Sequence, residues 1–336
     1  MNESKKYRVI FMGTPEAAVP GLKALLNDVQ FEVVGVVTQT DKPVGRKQIV
    51  TPSPIKVLAE ENGIPVLQPV KLKNNPEFLE QLRELNPDVI VVVVYGKILP
   101  QEVLDVPAHG VVNVHPSFLP KYRGTSPVVN AILNGDKETG VTIMKLELEM
   151  DSGPIIAKSQ PMAISPTDTT ATLAEKLAKV GAKVLVESLP KYLNGEITPT
   201  PQNESEATYV KMIRKEDGLI DWNNGEEKIA RQVRAYYPWP SAYTTIDLKD
   251  SGSILRSSSY GGLTQSRMTT DGQMTKILSA EFNPAVDNPK GTVAKIDGQL
   301  HVGKLKINQL QIAGKKPMDG KSFLAGYPKL VGTRLI

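Results

Sequence analysis

The sequence predicts a two-part α/β protein, with a doubly wound, mostly parallel sheet of the Rossmann-like kind followed by a small, OB-like β-barrel. In the first 193 residues, apolar β-branched runs alternate with helical patterns, which is typical of a parallel sheet. Beyond residue 208, short alternating runs separated by Gly and Asn favour a barrel. We expect a first domain at 1–193, a Pro-rich linker at 194–207 and a second domain at 208–336.

The chain opens with a strand–turn–helix pattern. Residues 8–12 form a buried strand that ends at Gly13, and Thr14 is expected to cap a helix that starts at Pro15 and runs to about Asn27. Because the other glycines of a Gly-x-Gly-x-x-Gly fingerprint are missing, Gly13 is interpreted as a turn residue and not as part of a dinucleotide site.

Further strands and helices follow at spacings that suit the same sheet. The run 88–94 is almost uniformly β-branched, which predicts a central strand buried on both faces. Other strands are expected at 31–38, from 66, at 111–115 and at 141–146, and helices at 54–62, 76–85, 127–134, 169–193 and 226–235.

The stretch 41–54 is longer than most connections between elements and carries Arg46 and Lys47. It is either a solvated surface loop or a mobile basic loop that touches phosphates.

The strand at 111–115 carries two polar residues, Asn113 and His115, which point to the same face because they lie two apart. Burying both without partners would cost roughly 1–3 kcal/mol each, so a fold that keeps them is expected to use them. Asp151 follows the strand 141–146 on a turn beside Gly153. We expect the three side chains to meet at the carboxyl ends of the strands, where α/β sheets bind ligands.

This trio suits one kind of chemistry. The Asn113 amide can donate to an oxygen that becomes negative, His115 can donate a proton beside it, and Asp151 can orient the imidazole and raise its pKa. The chain has no cysteine and no Gly-x-Ser-x-Gly turn, so we expect one substrate to attack a carbonyl of the other. With no second His or Cys near His115, no metal site is expected.

The amino-acid composition limits the cellular environment and the kinds of binding partner that we expect for this protein. The absence of cysteine fits a reducing compartment, and no apolar stretch approaches the roughly 18–20 residues that a membrane span needs. We expect a cytoplasmic monomer with no membrane partner. Residues 209–336 hold 19 Lys and Arg against 12 Asp and Glu, which indicates either an anionic partner such as nucleic acid or only a solvated surface.

Several ordered motifs carry a resemblance to a known family. Asn-x-His at 113–115, Pro-Ser-Phe-Leu-Pro-Lys-Tyr-Arg-Gly at 116–124 and Asp-Ser-Gly at 151–153 resemble the folate-dependent formyltransferases. Further stretches look like the members of that family that act on initiator tRNA, namely residues 11–16, 37–46, 94–100, 140–144, 221–222 and 237–240.

The resemblance implies a formyltransferase fold and the transfer of a formyl group from 10-formyltetrahydrofolate to the amino group of methionine on initiator methionyl-tRNA. It implies that Asn113, His115 and Asp151 are the catalytic residues, with His115 protonated and Asp151 keeping it charged. It also implies that folate contacts the turn after the strand 88–94, at Gly96 and Ile98. The segment after the strand 111–115 is expected to contact folate as well, at Ser117, Phe118, Leu119 and Pro120. Leu119–Pro120 is a candidate cis bond, and Arg46, with Lys47 beside it, is expected to meet the acceptor end of the tRNA.

Two positions depart from the family pattern, and a third residue has two possible roles. Phe118 stands where the family commonly has Leu, and its bulk is expected to reshape the pocket. The basic run after Arg46 is shorter than in the family. Arg123, at the mouth of the expected site, faces either substrate or solvent.

Two alternative functions stay open at this point. One is formyl transfer to a small amine, such as glycinamide ribonucleotide or an amino sugar, which would need neither a basic loop nor a basic domain. The other is an inactive nucleic-acid-binding relic of the enzyme, for which the intact Asn, His and Asp would be unexplained.

Overall fold

The computed structural model describes residues 6–45, 47–248 and 272–335. The chain divides into two compact units. The first comprises Met1–Pro127, Glu138–Ala163 and Leu173–Lys211, and the second comprises Val128–Lys137, Ile164–Thr172 and Met212–Ile336. The domain boundaries expected from the sequence stay a prediction. Within the described ranges, none of the helices is long and apolar enough to cross a membrane.

A seven-stranded sheet forms the centre of the first unit. Its strands are β1 (Tyr7–Gly13), β2 (Phe31–Val37), β5 (Val66–Leu67), β6 (Val89–Val93), β7 (Val111–His115), β10 (Thr142–Lys145) and β11 (Ile155–Lys158). The order is β11-β10-β7-β6-β1-β2-β5, with β7 to β5 parallel and with β10 and β11 antiparallel at one edge. The predicted doubly wound, mostly parallel sheet is confirmed.

The middle of this sheet is apolar along its whole length. All five residues of β6 are buried, as are residues 9–12 of β1, and continuous β-branched runs of this kind suit strands that are covered on both faces. The strand order reverses between β1 and β6, whose ends meet where Gly13 lies beside Val93. In open α/β sheets such a reversal opens a crevice at the carboxyl ends of the strands.

Eight α-helices lie in the described part of the chain, and most of the predicted ones are present within a residue or two. They are α1 (Val19–Asn27), α2 (Pro54–Glu61), α3 (Pro76–Glu84), α4 (Gln101–Leu104), α5 (Pro127–Asn134), α6 (Thr170–Leu193), α7 (Glu226–Ala235) and α8 (Gly320–Gly326). Short 3-10 helices lie at Glu16–Ala18, Glu204–Glu206, Lys215–Gly218 and Pro328–Leu330.

The expected cap of the first helix is wrong. The Thr14 hydroxyl donates to the carbonyl oxygen of Tyr95 at 3.1 Å, and the 3-10 turn that precedes α1 begins after Pro15 with no side-chain cap. The Thr14 hydroxyl thus makes a contact between the ends of two neighbouring strands, and the first turn of the helix has no side-chain acceptor for its N–H groups.

The expected route to Asp151 is also wrong. Since β10 runs antiparallel to β7, Thr142 lies beside His115 and Lys145 lies beside Val112. The carboxyl end of β10 is therefore at the opposite end of β7 from His115. Asp151 reaches the histidine through the loop between β10 and β11, not through a shared sheet edge.

The stretch 41–54 is not a loop without structure. It contains a short hairpin of β3 (Lys42–Val44) and β4 (Ile49–Thr51), with an exposed Lys47 in its turn. Arg46 lies outside the described residues. Ile49 and Val50 of β4 are 62% and 63% exposed, so the hairpin presents apolar side chains to solvent as well as the Lys47 of its turn.

The second unit is built on an antiparallel sheet. Its strands are β14 (Ala242–Asp247), β15 (Gly272–Phe282), β16 (Val293–Ile296), β17 (Gln299–Val302), β18 (Leu305–Ile312) and β19 (Met318–Asp319). The order is β14-β15-β18-β17-β16, with β19 also on β18. The expectation that the C-terminal part is built from short β-strands is confirmed, and the strands form an antiparallel sheet. No ladder joins the described parts of β14 and β16, so closure into a barrel stays a prediction.

Besides the β3–β4 hairpin, two further small ladders lie in the described part of the first unit. They pair β9 (Glu138–Thr139) with β12 (Met162–Ala163), and β8 (Arg123–Gly124) with β13 (Tyr209–Val210). The second of these ladders holds residues 123 and 124 against a segment more than eighty residues later in the chain.

Phe118 is accommodated by a glycine. A Cβ added to Gly140 would overlap the Phe118 ring, so the ring lies directly against the Gly140 backbone. The larger side chain at position 118 is therefore packed against a neighbouring segment of the protein.

We expect Gly140→Ala to destabilise the protein by about 1–3 kcal/mol, because the added methyl overfills this contact. Phe118→Leu should relieve part of the loss, giving a coupling of about 1 kcal/mol in a double-mutant cycle of unfolding free energies. Strictly additive effects would show that the ring is not what limits position 140.

Candidate active site

Strand β7 supplies the first two site residues. Asn113 lies between Val92 of β6 and Met144 of β10, and His115 lies beside Thr142. His115 is only 4% exposed, whereas Asn113 is partly exposed. Within the described residues the Asn113 side-chain amide makes no hydrogen bond to the protein, so its donors are available to a ligand.

The two ring nitrogens of His115 have different roles. Nε2 lies 3.1 Å from the carbonyl oxygen of Tyr122. Since a backbone carbonyl can only accept, Nε2 carries the proton. Nδ1 lies 3.8 Å from Oδ2 of Asp151, too far for a hydrogen bond but within ion-pair range. In the neutral ring Nδ1 therefore keeps a lone pair that can take up a proton.

Asp151 is held at both its side chain and its backbone. Its Oδ2 accepts the backbone N–H of Gly124 at 2.7 Å, and its carbonyl oxygen accepts Nε2–H of Gln202 at 2.8 Å. Its φ of 52° lies in the left-handed region, which disfavours residues with a Cβ. The contacts with Gly124 and Gln202 stabilise this conformation and orient the carboxylate.

Gly124 must be a glycine for the first of these contacts. Its φ is 117°, and a Cβ at this position would overlap the carbonyl oxygen of Val210 in the β8–β13 ladder. The close approach of these two segments therefore sets where the Gly124 N–H points.

Burial lowers the pKa of His115 below its ordinary value of 6.5, and the charge of Asp151 and the hydrogen bond to Tyr122 offset only part of that effect. The expectation that Asp151 raises this pKa is confirmed, but the expectation that it keeps the ring charged is wrong. The carboxylate does act in the expected direction, but the loss of hydration in a nearly closed environment is the larger contribution. At neutral pH the imidazole is uncharged.

Arg123 faces neither substrate nor solvent, in contrast to both sequence-based alternatives. Its side chain is fully buried and makes a bidentate ion pair with Glu204 at 2.6 and 2.9 Å. Its guanidinium also donates to the Tyr209 hydroxyl and to Oε1 of Gln202, each at 3.0 Å.

The sequence analysis missed three of these residues, Gln202, Glu204 and Tyr209. All lie in or just after the stretch interpreted as a linker, which has no periodicity and therefore no pattern that marks a contact. The only available signal was the density of polar side chains between 202 and 206.

Hydrogen bonds and burial hold the segment Ser117–Pro120 in place within the first unit. The Ser117 hydroxyl donates to the Lys121 carbonyl at 2.7 Å, and the Leu119 N–H donates to the Thr142 hydroxyl at 3.1 Å. The side chains of Ser117 and Leu119 are buried, and the Leu119–Pro120 bond is cis as predicted. Contact between this segment and folate stays a prediction.

Gly96 and Ile98 lie just beyond the end of β6, next to the strand that carries Asn113. Ile98 is 78% exposed, and the neighbouring Val94 is also exposed. Gln39 donates to the carbonyl of Tyr95 at 2.9 Å and fixes this turn. The turn presents exposed apolar side chains beside the site, which suits an apolar ring.

No group of three or more His, Asp or Glu side chains that could hold a metal ion occurs in the ranges that the structure describes. Lys47 lies in the β3–β4 hairpin, and no contact joins it to Asn113, His115 or Asp151 among the described residues.

We expect the imidazole of His115 to titrate with a midpoint below 6.5 in an NMR experiment, with its signal assigned by its loss in His115→Gln. Because the Asp151 charge favours the protonated ring, Asp151→Asn should move the midpoint lower still. A midpoint above 6.5 would show that the carboxylate outweighs burial.

Family models match both parts of the chain. A model described as formyl transferase matches residues 5–189, and one described as formyl transferase, C-terminal domain, matches residues 212–328. The methionyl-tRNA formyltransferase of Caldanaerobacter subterraneus subsp. tengcongensis is 43% identical over 333 residues, covering 98% of this chain and 99% of that protein. The protein of the same name from Chloroflexus aggregans is 45% identical over 319 residues, covering 95% of this chain and 97% of that protein.

Solved structures share the fold at lower identity. The N-formyltransferase from Helicobacter canadensis, in complex with folinic acid and dTDP-3-aminofucose, has a TM-score of 0.64 and 20% identity, covering 93% of this chain and all of that one. HypX from Aquifex aeolicus, in complex with tetrahydrofolic acid, has a TM-score of 0.61 and 17% identity, covering 99% of this chain and 49% of that one. With family models matched in both parts and full-length relatives above 40% identity, the chain belongs to the formyl transferase family.

Proposed function

We propose that this enzyme transfers a formyl group from 10-formyltetrahydrofolate to the amino group of methionine on initiator methionyl-tRNA, which prepares that tRNA for translation initiation in the cytoplasm. The observation that carries the proposal is the Asn113, His115 and Asp151 arrangement in a chain that matches methionyl-tRNA formyltransferases from end to end. A monomeric state remains part of the prediction.

The bound folate supplies the formyl group, and Asn113 meets its carbonyl oxygen. The Asn113 amide N–H donates to this oxygen as the amine attacks the formyl carbon and negative charge develops. A donor already placed in the site stabilises that charge without reorganising solvent.

His115 and Asp151 move the proton. Nδ1 of the neutral His115 ring accepts a proton from the attacking amine and passes it to the nitrogen that leaves. Nε2–H stays on the Tyr122 carbonyl throughout and keeps the ring oriented. The Asp151 carboxylate, 3.8 Å from Nδ1, stabilises the ring while it is charged. His115 is thus a base first and an acid second, whereas the sequence-based hypothesis had it protonated from the start.

The folate is proposed to lie between two segments. Gly96 and Ile98 would contact its pteridine ring from the turn after β6, where Ile98 is exposed and Gly96 has a φ of 80°. Residues 117–120 would contact it from the other side. Because the side chains of Ser117 and Leu119 are buried and their N–H groups donate within the protein, these two residues would contribute only backbone carbonyl oxygens.

The tRNA is proposed to contact the β3–β4 hairpin through Lys47 and the preceding Arg46, at the acceptor end. The exposed Ile49 and Val50 add apolar surface beside these cations, which suits a contact with bases as well as phosphates. An excess of basic residues beyond residue 209 supports binding of an anionic partner by the second unit. A small amine acceptor would use none of these features.

The direct test is formylation of initiator methionyl-tRNA by the purified protein with 10-formyltetrahydrofolate, with glycinamide ribonucleotide as the acceptor in a parallel reaction. We expect product only with the tRNA. Formylation of the small amine alone would refute the proposed acceptor, and binding of folate without transfer to either would indicate an inactive relic.

Asn113→Ala should lower turnover by ~10²–10³-fold, because one donor to the developing charge is lost. Asn113→Asp is the matched control. It has the same shape but cannot donate when ionised, so it should be at least as slow, while tRNA binding stays close to wild type for both. Wild-type turnover in the Asp variant, or a loss confined to tRNA binding, would contradict the role of Asn113.

A further inference from the structure

A closed ring of hydrogen bonds joins Asp151 to a part of the chain some fifty residues later. Nε–H of Arg123 donates to Oε1 of Gln202 at 3.0 Å, and Nε2 of Gln202 donates to the carbonyls of Asp151 at 2.8 Å and Gly153 at 2.7 Å. The Asp151 carboxylate accepts the N–H of Gly124, the residue after Arg123, which closes the ring.

We propose that Gln202 is a positioning residue for formyl transfer, which holds the loop around Asp151 so that the carboxylate faces Nδ1 of His115. The inference rests on the proposed function of the site. It makes the stretch after the long helix α6 part of the catalytic arrangement, although that stretch contains none of the three residues that act on the substrates.

The Asp151 loop needs such a contact. Asp151 has a φ of 52°, in the left-handed region that Asp adopts more readily than most residues with a Cβ, though at some cost in energy. Gly153 approaches the Lys145 carbonyl so closely that a Cβ would overlap it. The Gln202 amide binds the carbonyls of both Asp151 and Gly153 and thus fixes the loop on either side of Ser152.

Glutamine is chemically suited to this place. A side-chain amide has two N–H donors and one carbonyl acceptor. Both donors are used by the loop, and the acceptor is used by Arg123. Because an Arg Nε–H can only donate, it fixes which end of the amide faces the loop.

Arg123 is itself held in place by groups near Gln202. Its buried guanidinium is paired with Glu204 and bonded to the Tyr209 hydroxyl, and its centre lies 5.7 Å from the Tyr209 ring. The backbone of Thr200 exchanges hydrogen bonds of 2.8 Å with Ile155 of β11. Gln202 is therefore anchored on both sides and can resist movement of the loop.

The test is a double-mutant cycle with Asp151. We would measure kcat, and KM for both substrates, for Gln202→Leu and Gln202→Glu in the wild-type and Asp151→Asn backgrounds. The Glu variant keeps an acceptor for Arg123 but has no N–H for the loop. In the wild-type background both should lower kcat by about 10–100-fold with little change in KM, because the carboxylate is misplaced. In the Asp151→Asn background the further loss should be less than about twofold.

The matched control is Asn203→Ala. Asn203 caps the neighbouring 3-10 helix by accepting from the Ser205 N–H and makes no contact with the Asp151 loop among the described residues. It should keep kcat within about twofold of wild type. Should Gln202→Leu fail to fold, Gln202→Glu, which retains the bond to Arg123, completes the cycle.

A second measurement tests the role of Gln202 without measuring formyl transfer. Because the Asp151 charge acts on His115, the NMR midpoint of His115 should fall in Gln202→Leu, towards its value in Asp151→Asn. Equal losses of kcat in both backgrounds, or an unchanged midpoint, would overturn the role of Gln202. A wild-type protein that formylates no tRNA would instead overturn the proposed function, while the midpoint would still test the placement of Asp151.

Discussion

His115 lies inside a sheet where hydration is lost, and the Asp151 carboxylate 3.8 Å away is the group that allows this ring to accept a proton there. Burial and the carboxylate act on the same group in opposite directions, and burial is the larger effect. The ring is neutral at rest and has a partner ready when it becomes charged. A proton carrier between an amine and a leaving nitrogen needs this combination, since it must be uncharged before the reaction and stabilised during it.

The acid can serve this purpose only if the loop that carries it is held. Three groups outside the loop meet there, since Gly124 supplies a donor to the carboxylate, β7 supplies the imidazole, and Gln202 supplies donors to the backbone. Such a loop lies off the regular sheet, and its conformation is unfavourable at Asp151. Backbone hydrogen bonds between strands hold β7 in the sheet, whereas the position of the carboxylate depends on contacts made around its loop.

The substrates are proposed to meet different kinds of surface. Beside the site, the turn after β6 exposes apolar side chains around a backbone fixed by Thr14 and Gln39, which suits a flat ring. The β3–β4 hairpin exposes a lysine close to Ile49 and Val50, and residues 209–336 have an excess of basic side chains. A macromolecular anion can contact both surfaces, and this is the physical reason for preferring a tRNA over a small amine as the acceptor.

The sequence by itself determined most of the helices and strands, and it indicated most of the residues proposed for the site. The β-branched run at 88–94 predicted a central strand, the 226–235 helix has the predicted bounds, and the spacing of Asn113 and His115 placed both on one strand face. These features depend on neighbours within a few residues, which a sequence records directly. The turn after the 141–146 strand indicated Asp151, and the resemblance to formyltransferases added the residues proposed for folate and the cis bond at Leu119.

Only the tertiary structure decided how these groups work. The antiparallel direction of β10, the bond from Thr14 to Tyr95, the burial of Arg123 and the contacts of Gln202 all join residues far apart in the chain, 79 positions in the case of Arg123 and Gln202. The sign of the His115 pKa shift was likewise decided by burial, which sums the packing of many segments around one ring. Local patterns contain no record of such contacts, because each depends on where the rest of the chain has folded.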